Sequence, residues 1–95
     1  MRVIELDACS WRTVLDFYNA LLAALGAPDW HGRSVAALID SMVYGHINAV
    51  EAPYVVKVTG TARIPTAVKD EIVSVARIFA EHQKTDVKVE FQIEP

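Results

Sequence analysis

The groups best suited to acid–base, nucleophilic or metal chemistry in this chain are three histidines, one cysteine and a scatter of carboxylates. His31, His46 and His82 stand in three separate segments, and none has a His or Cys three or four residues away. Zinc sites draw their ligands from such close pairs, so no zinc-type motif is present. No serine or cysteine sits in a nucleophile elbow. Thr59-Gly60-Thr61 joins an apolar run to a helical pattern, as phosphate loops do. It has one glycine and lacks the Lys-Ser/Thr ending that holds phosphate and magnesium, so it reads as a plain strand-to-helix loop. Asp70-Glu71 is a carboxylate pair by sequence, but adjacent helix residues point about 100° apart. Both fit better as acids near the positive end of a helix. No catalytic residue, metal or cofactor is expected, and the chain reads as a non-enzyme.

What remains is a recognition pattern. Ala27-Pro28-Asp29-Trp30-His31-Gly32-Arg33 is a loop bounded by Pro28 and Gly32, with a large aromatic at its centre. Tryptophan in such a place is either a lid folded back on the core or a binding anchor. Ser34 is a good N-cap for a short helix that follows. In that helix Val35, Leu38, Ile39 and Met42 recur at one-turn spacing and make the buried stripe. Ala36, Asp40 and Val43 lie on the other face, with Arg33 just before. Tyr44 follows in the next irregular segment, where packing and contact with a partner are both open to it.

The elements that must position this face follow from periodicity. Val3–Leu6 is a short apolar run, read as a first strand. Ser10 as N-cap and Gly26 as C-terminal stop bracket a helix whose apolar face holds Val14, Tyr18, Leu21 and Leu25. Tyr44–Pro53 is irregular. Tyr54–Val58 is the most continuously apolar run and reads as a second strand. Pro65 suits the first turn of a long helix reaching about Gln83, with Val68, Ile72, Val75, Ala76 and Phe79 as its buried stripe. Val87, Val89, Phe91 and Ile93 alternate with Lys88, Glu90 and Gln92, which predicts a half-buried strand at a sheet edge. The order β-α-α-β-α-β predicts a two-layer α/β domain, a three-stranded parallel sheet with its helices packed on one face.

Composition bounds the rest. A chain of 95 residues is one domain by the usual span of roughly 100–200 residues each. The hydrophobic fraction of 53% is high for a small soluble domain, so weak self-association is expected. The net charge is −3 and no stretch is strongly basic. Binding a phosphate backbone needs clustered Lys and Arg, so nucleic acid is not a direct partner and a basic protein is a better one. Cys9 is the sole cysteine and reads as a small buried hydrophobe. The charged start Met1-Arg2-Val3-Ile4-Glu5 is unlike a signal peptide, and no window approaches the roughly 20 apolar residues of a membrane span. The expected compartment is the cytoplasm.

The segment Pro28 to Met42 resembles the barstar family, whose members are intracellular inhibitors of the ribonuclease barnase. The family pattern is a proline, an acid, two aromatics and a glycine, then a short helix reading roughly Asn-Leu-Asp-Ala-Leu-x-Asp-x-Leu. Pro28, Asp29, Trp30, Gly32, Ala37, Leu38 and Asp40 match by type, and Val35 and Met42 conservatively. The resemblance extends over nearly the whole chain, through the final strand after Thr85-Asp86-Val87. It implies an antitoxin or immunity-type inhibitor that plugs a basic nuclease cleft with an acidic face. By position it implies contacts at Trp30, His31, Ala36, Asp40 and Glu81, and the loop–helix face read from the residues adds Asp29, Arg33, Val43 and Tyr44. Ala36 stands where the family has the first of two aspartates, Ile39 where it has a tryptophan and His31 where it has a second aromatic. Glu81 is the candidate for the family's last-helix glutamate. With half of the acidic pair absent, a related nuclease fits better than barnase itself. The alternative is an interaction module of the same fold whose partner is not a nuclease, or a second copy of the chain.

Overall fold

The computed structural model describes all residues from Met1 to Pro95. Three strands form one parallel sheet: β1 (Arg2–Asp7), β2 (Tyr54–Thr59) in the centre and β3 (Val89–Ile93). Arg2 lies opposite Tyr54, and Tyr54 opposite Val89, so the pleats of all three strands are in phase. Ile4, Leu6, Tyr54, Val56, Val58 and Val89 all turn to one side and are buried. Glu5, Asp7, Glu90 and Gln92 turn to the other and are exposed, with Lys57 between them. The helices therefore cover one face only, as the sequence predicts. Total accessible surface is 5388 Å², close to the roughly 5,400 Å² that size scaling gives for this mass.

The helical layer is built on α1 (Val14–Leu25) and α3 (Thr66–His82). Phe17, Tyr18, Leu21, Leu22 and Leu25 make the buried side of α1; Val68, Ile72, Val75 and Phe79 that of α3. The Tyr18 hydroxyl donates to a Glu71 carboxylate oxygen at 2.5 Å, tying the two helices. Burial and this carboxylate push the Tyr18 pKa well up, so the phenol stays protonated. Pro65 precedes the first turn of α3 as its N-cap rather than lying within it.

Four further local readings differ from the structure. The N-cap of α1 is Thr13, not Ser10. Thr13 Oγ1 accepts from Asp16 N–H, and the Asp16 carboxylate accepts from the N–H groups of Thr13 and Arg12. This reciprocal box satisfies more helix-end donors than Ser10 could alone. Cys9 is exposed rather than buried. It lies in the turn after β1, where a hydrogen bond to the Asp7 carboxylate raises its pKa and disfavours the thiolate. Val87 lies outside β3 and is 58% exposed. The short helix does not stop before Tyr44: α2 (Val35–Ile39) runs on into a π-turn (Asp40–Tyr44) closed by Gly45 N–H donating to Asp40 O.

Gly26 ends α1 in the left-handed region, φ 65°. Its carbonyl accepts from Ala49 N–H, and the Leu25 carbonyl from Val50 N–H. A Cβ at Gly26 would stand 2.7 Å from that of Ala49. Glycine is thus required twice, for the turn and for the close approach that seats the 45–50 loop.

Thr13→Ala should cost about 1 kcal/mol in chemical unfolding, and Ser10→Ala should be close to neutral. The backbone donors hold the Asp16 carboxyl below the usual carboxylate range. A depressed pKa contributes stability above the unfolded value of about 3.9, lost as pH falls through the folded value. Asp16→Asn should therefore flatten the stability loss as the pH falls below about 4, measured by thermal melts.

Candidate functional site

The loop and the short helix owe their placement to a buried polar clasp. His31 is 3% exposed. Its Nδ1 lies 2.7 Å from Gly32 O and its Nε2 2.7 Å from Ser41 Oγ, and the Ser41 hydroxyl also reaches Leu38 O at 3.4 Å. Ser34 caps α2 by accepting from Ala37 N–H, as the sequence predicts. Leu38 and Met42 anchor the helix in the core, with Val35, Ile39 and Val43 packed around them. His31 is therefore corrected from a contact residue to an internal brace. Its ring is spent on holding the loop against the π-turn.

With the loop held from behind, Trp30 is left 74% exposed. No core lid forms; the indole stands on the surface. Asp29, Ala36 and Asp40 are exposed beside it. Between Trp30 and Asp40 lies a slot of about 90 Å³, with His31, Gly32, Ala37 and Ile47 as its other walls. The walls are mainly apolar and a carboxylate stands at the rim. Such a slot accepts a flat or aliphatic side chain ending in a positive charge, which Trp30 can cover by a cation–π contact. Ile47 is a wall that periodicity did not mark.

The π-turn decides which residues past Asp40 join this face. The wider turn shifts the helical phase, so Ser41 and Met42 are both buried. Val43, expected on the outer face, is half-buried against the core instead. Tyr44 takes the outer position, 65% exposed. Its hydroxyl shares a 3.0 Å hydrogen bond with His82 Nε2, and the two rings meet edge-on at 5.7 Å. This contact sets the C-terminal end of α3 against Tyr44 through His82; Glu81, one residue before it, is exposed. The partner that His82 finds is 38 positions away, beyond any periodic signal.

Arg33 is on the same loop but directed elsewhere. Its Nε donates to Asn19 Oδ1 of α1 at 2.7 Å. The one cation expected beside Asp40 is thereby held toward the far side of the loop. Asp29 and Asp40 are the exposed carboxylates of the loop and short helix; around Tyr44 stand His82, Asp86 and Lys88. No group of three His, Cys, Asp or Glu side chains is placed to hold a metal ion. No helix is long and apolar enough to cross a membrane. Thr59-Gly60-Thr61 is a plain turn into α3: Gly60 has φ 73°, and the buried Thr61 hydroxyl donates to Glu94 O at 2.8 Å.

His31→Ala should cost about 1–3 kcal/mol, because it leaves Ser41 underpaired in the interior and opens a void. Equilibrium unfolding in urea would measure it. Ala36→Ser on the exposed face should change stability by less than about 0.5 kcal/mol in the same assay.

The family model described as Barstar (barnase inhibitor) matches residues 1–94. No curated protein matches the chain significantly. The match runs through the sheet, both long helices and the exposed loop–helix face alike, and the chain belongs to the barstar family.

Proposed function

We propose that this chain is an inhibitor of the antitoxin or immunity type, which binds a barnase-like ribonuclease and blocks its basic cleft with the 28–43 loop–helix face. Family membership supports inhibitor-like function in general. The observation that carries the finer reading is the slot between the exposed Trp30 and Asp40. A ribonuclease cleft binds phosphates through cationic side chains, and an acid-rimmed aromatic slot is complementary to them. Asp29 and Glu81 extend the negative field, and Tyr44 adds a second rigid aromatic. Arg33, drawn toward Asn19, does not oppose that field at the slot.

The exposed Ala36 favours a nuclease other than barnase. An inhibitor of barnase by the family pattern carries an aspartate there. A small apolar residue in its place suits a partner with less positive charge at that point. The same residue supports the alternative reading, an interaction module with a non-nuclease partner.

RNA-cleavage assays with a panel of barnase-family ribonucleases, barnase included, test the proposal. At least one should be inhibited at one-to-one stoichiometry, with no added metal. Against that nuclease Asp40→Ala should weaken the complex at least about tenfold, since truncating a desolvated charge partner costs about 2–5 kcal/mol. Its melting temperature should stay near that of the parent, because Asp40 makes no contact the core relies on. Trp30→Ala should weaken binding as well. If Asp40→Ala and Trp30→Ala inhibit as tightly as the parent, the binding face is elsewhere. If no ribonuclease is inhibited by the folded chain, the module reading replaces this one.

A further inference from the structure

β3 is an edge strand, hydrogen-bonded to β2 alone. Tyr54 N–H donates to Lys88 O, and Glu94 N–H donates to Val58 O. The backbone groups of Val89, Phe91 and Ile93 consequently point outward, away from the sheet. An edge of this kind is a template for another strand. One residue of it is already occupied. The amide of Gln83, itself 4% exposed, donates from Nε2 to Val89 O at 2.9 Å and accepts at Oε1 from Val89 N–H at 3.0 Å. It also accepts from Lys88 N–H and donates to Phe79 O. The side chain of Gln83 thus stands in for one residue of a neighbouring strand.

The edge is complementary to itself in one register. A two-fold axis through the sheet keeps the helices of both copies on one side, so opposed residues must come from the same face. Pairing centred on Phe91 sets Lys88 against Glu94, Val89 against Ile93 and Glu90 against Gln92. Phe91 then meets its own copy as a hydrogen-bonded antiparallel pair. Moving the centre to Glu90 sets that carboxylate against itself, and moving it to Gln92 sets Glu90 against Glu94. On the other edge, β1 offers no such match: a centre at Ile4 sets Val3 against Glu5, and one at Glu5 sets that acid against itself. Beside the β3 edge runs an open groove whose apolar walls include Ala76, Ala80, Val87 and Phe91 and whose polar lining is Gln83, Lys84 and Glu90. Its small helix residues leave room for the apolar side chains of a second copy.

We propose that the outer edge of β3 is a self-association surface that pairs antiparallel with β3 of a second copy about Phe91, and that Gln83 keeps the association weak by occupying the outward N–H and C=O of Val89. A few residues of edge on each side fall short of the roughly 1,000 Å² of a lasting interface, so the dimer is transient. This surface lies apart from the Trp30–Asp40 slot and does not depend on the nature of the inhibited partner.

Sedimentation equilibrium of the full chain up to millimolar concentration tests it. The parent should dimerise weakly. Gln83→Met, whose flexible thioether makes neither hydrogen bond to Val89 and can swing clear of it, should raise the association constant at least about tenfold. Lys88→Glu and Glu94→Lys should each lower it about fivefold, and the double reversal should restore it. Within one chain Lys88 lies 4.0 Å from Asp86, and Glu94 3.7 Å from Lys57. The double reversal makes both of these contacts repulsive, so only a pair across the two copies accounts for recovery. The charge series stands by itself should Gln83→Met fold poorly by circular dichroism. Double-reversal behaviour no better than the single reversals overturns the proposal, as does a monomeric mass for both the parent and a folded Gln83→Met at millimolar concentration.

Discussion

The structure rests on burying one face of a three-stranded parallel sheet. Tyr54, Val56 and Val58 of the central strand are fully buried on that face, and each is flanked by apolar residues of β1 or β3. Parallel strands need crossovers, and each crossover here has to bring a helical segment to the same side, since the other side carries Glu5, Lys57, Glu90 and Gln92. Burial of a side chain of this size stabilises by about 1.5–3 kcal/mol, against about 0.5–1.5 kcal/mol for a typical hydrogen bond. The helices are therefore crowded into one layer. Their ends meet, which is why the C-terminal end of α3 lies against the π-turn.

That crowding separates support from display. The residues that hold the 28–44 segment are Leu38, Met42 and the pair His31–Ser41, all buried. The residues it presents, Trp30, Asp40 and Tyr44, make few demands on the core. A face built this way can change its contact residues without changing its scaffold. Ala36 and Ile39, which depart from the family pattern, occur in a segment whose cap and core anchors are retained. The fold thus tolerates a new partner more readily than a new brace.

An open sheet has two edges, and a three-stranded one has little else. The chain deals with β3 by placing a buried amide over Val89 and by setting Lys88, Glu90 and Glu94 around it. Charge and a local cap are the usual guards of an exposed edge. The cost is a buried glutamine whose four hydrogen bonds must all be kept. In return, the C-terminal turn of α3 is fastened to the strand that follows it.

Much of this was legible in the residues themselves. Periodicity located every strand and both long helices to within a few positions, because each buries one face and must repeat at the spacing of its backbone. Ser34 and Gly26 marked helix ends, since local hydrogen bonding and a positive φ dictate those residue types. The Pro28–Met42 pattern pointed to the family. Other features depended on partners distant in the chain or on competition between neighbours. Thr13 prevailed over Ser10 as the cap because Asp16 returns its hydrogen bond. Val43 turned inward and Tyr44 outward because the helix widens after Asp40, a shift that no 3.6-residue repeat records. His31 was buried because Ser41 offers it an internal partner, and Tyr44 found His82 across 38 residues. A linear sequence carries the period of each element, but the meeting of two elements is settled only when both have packed on the same sheet.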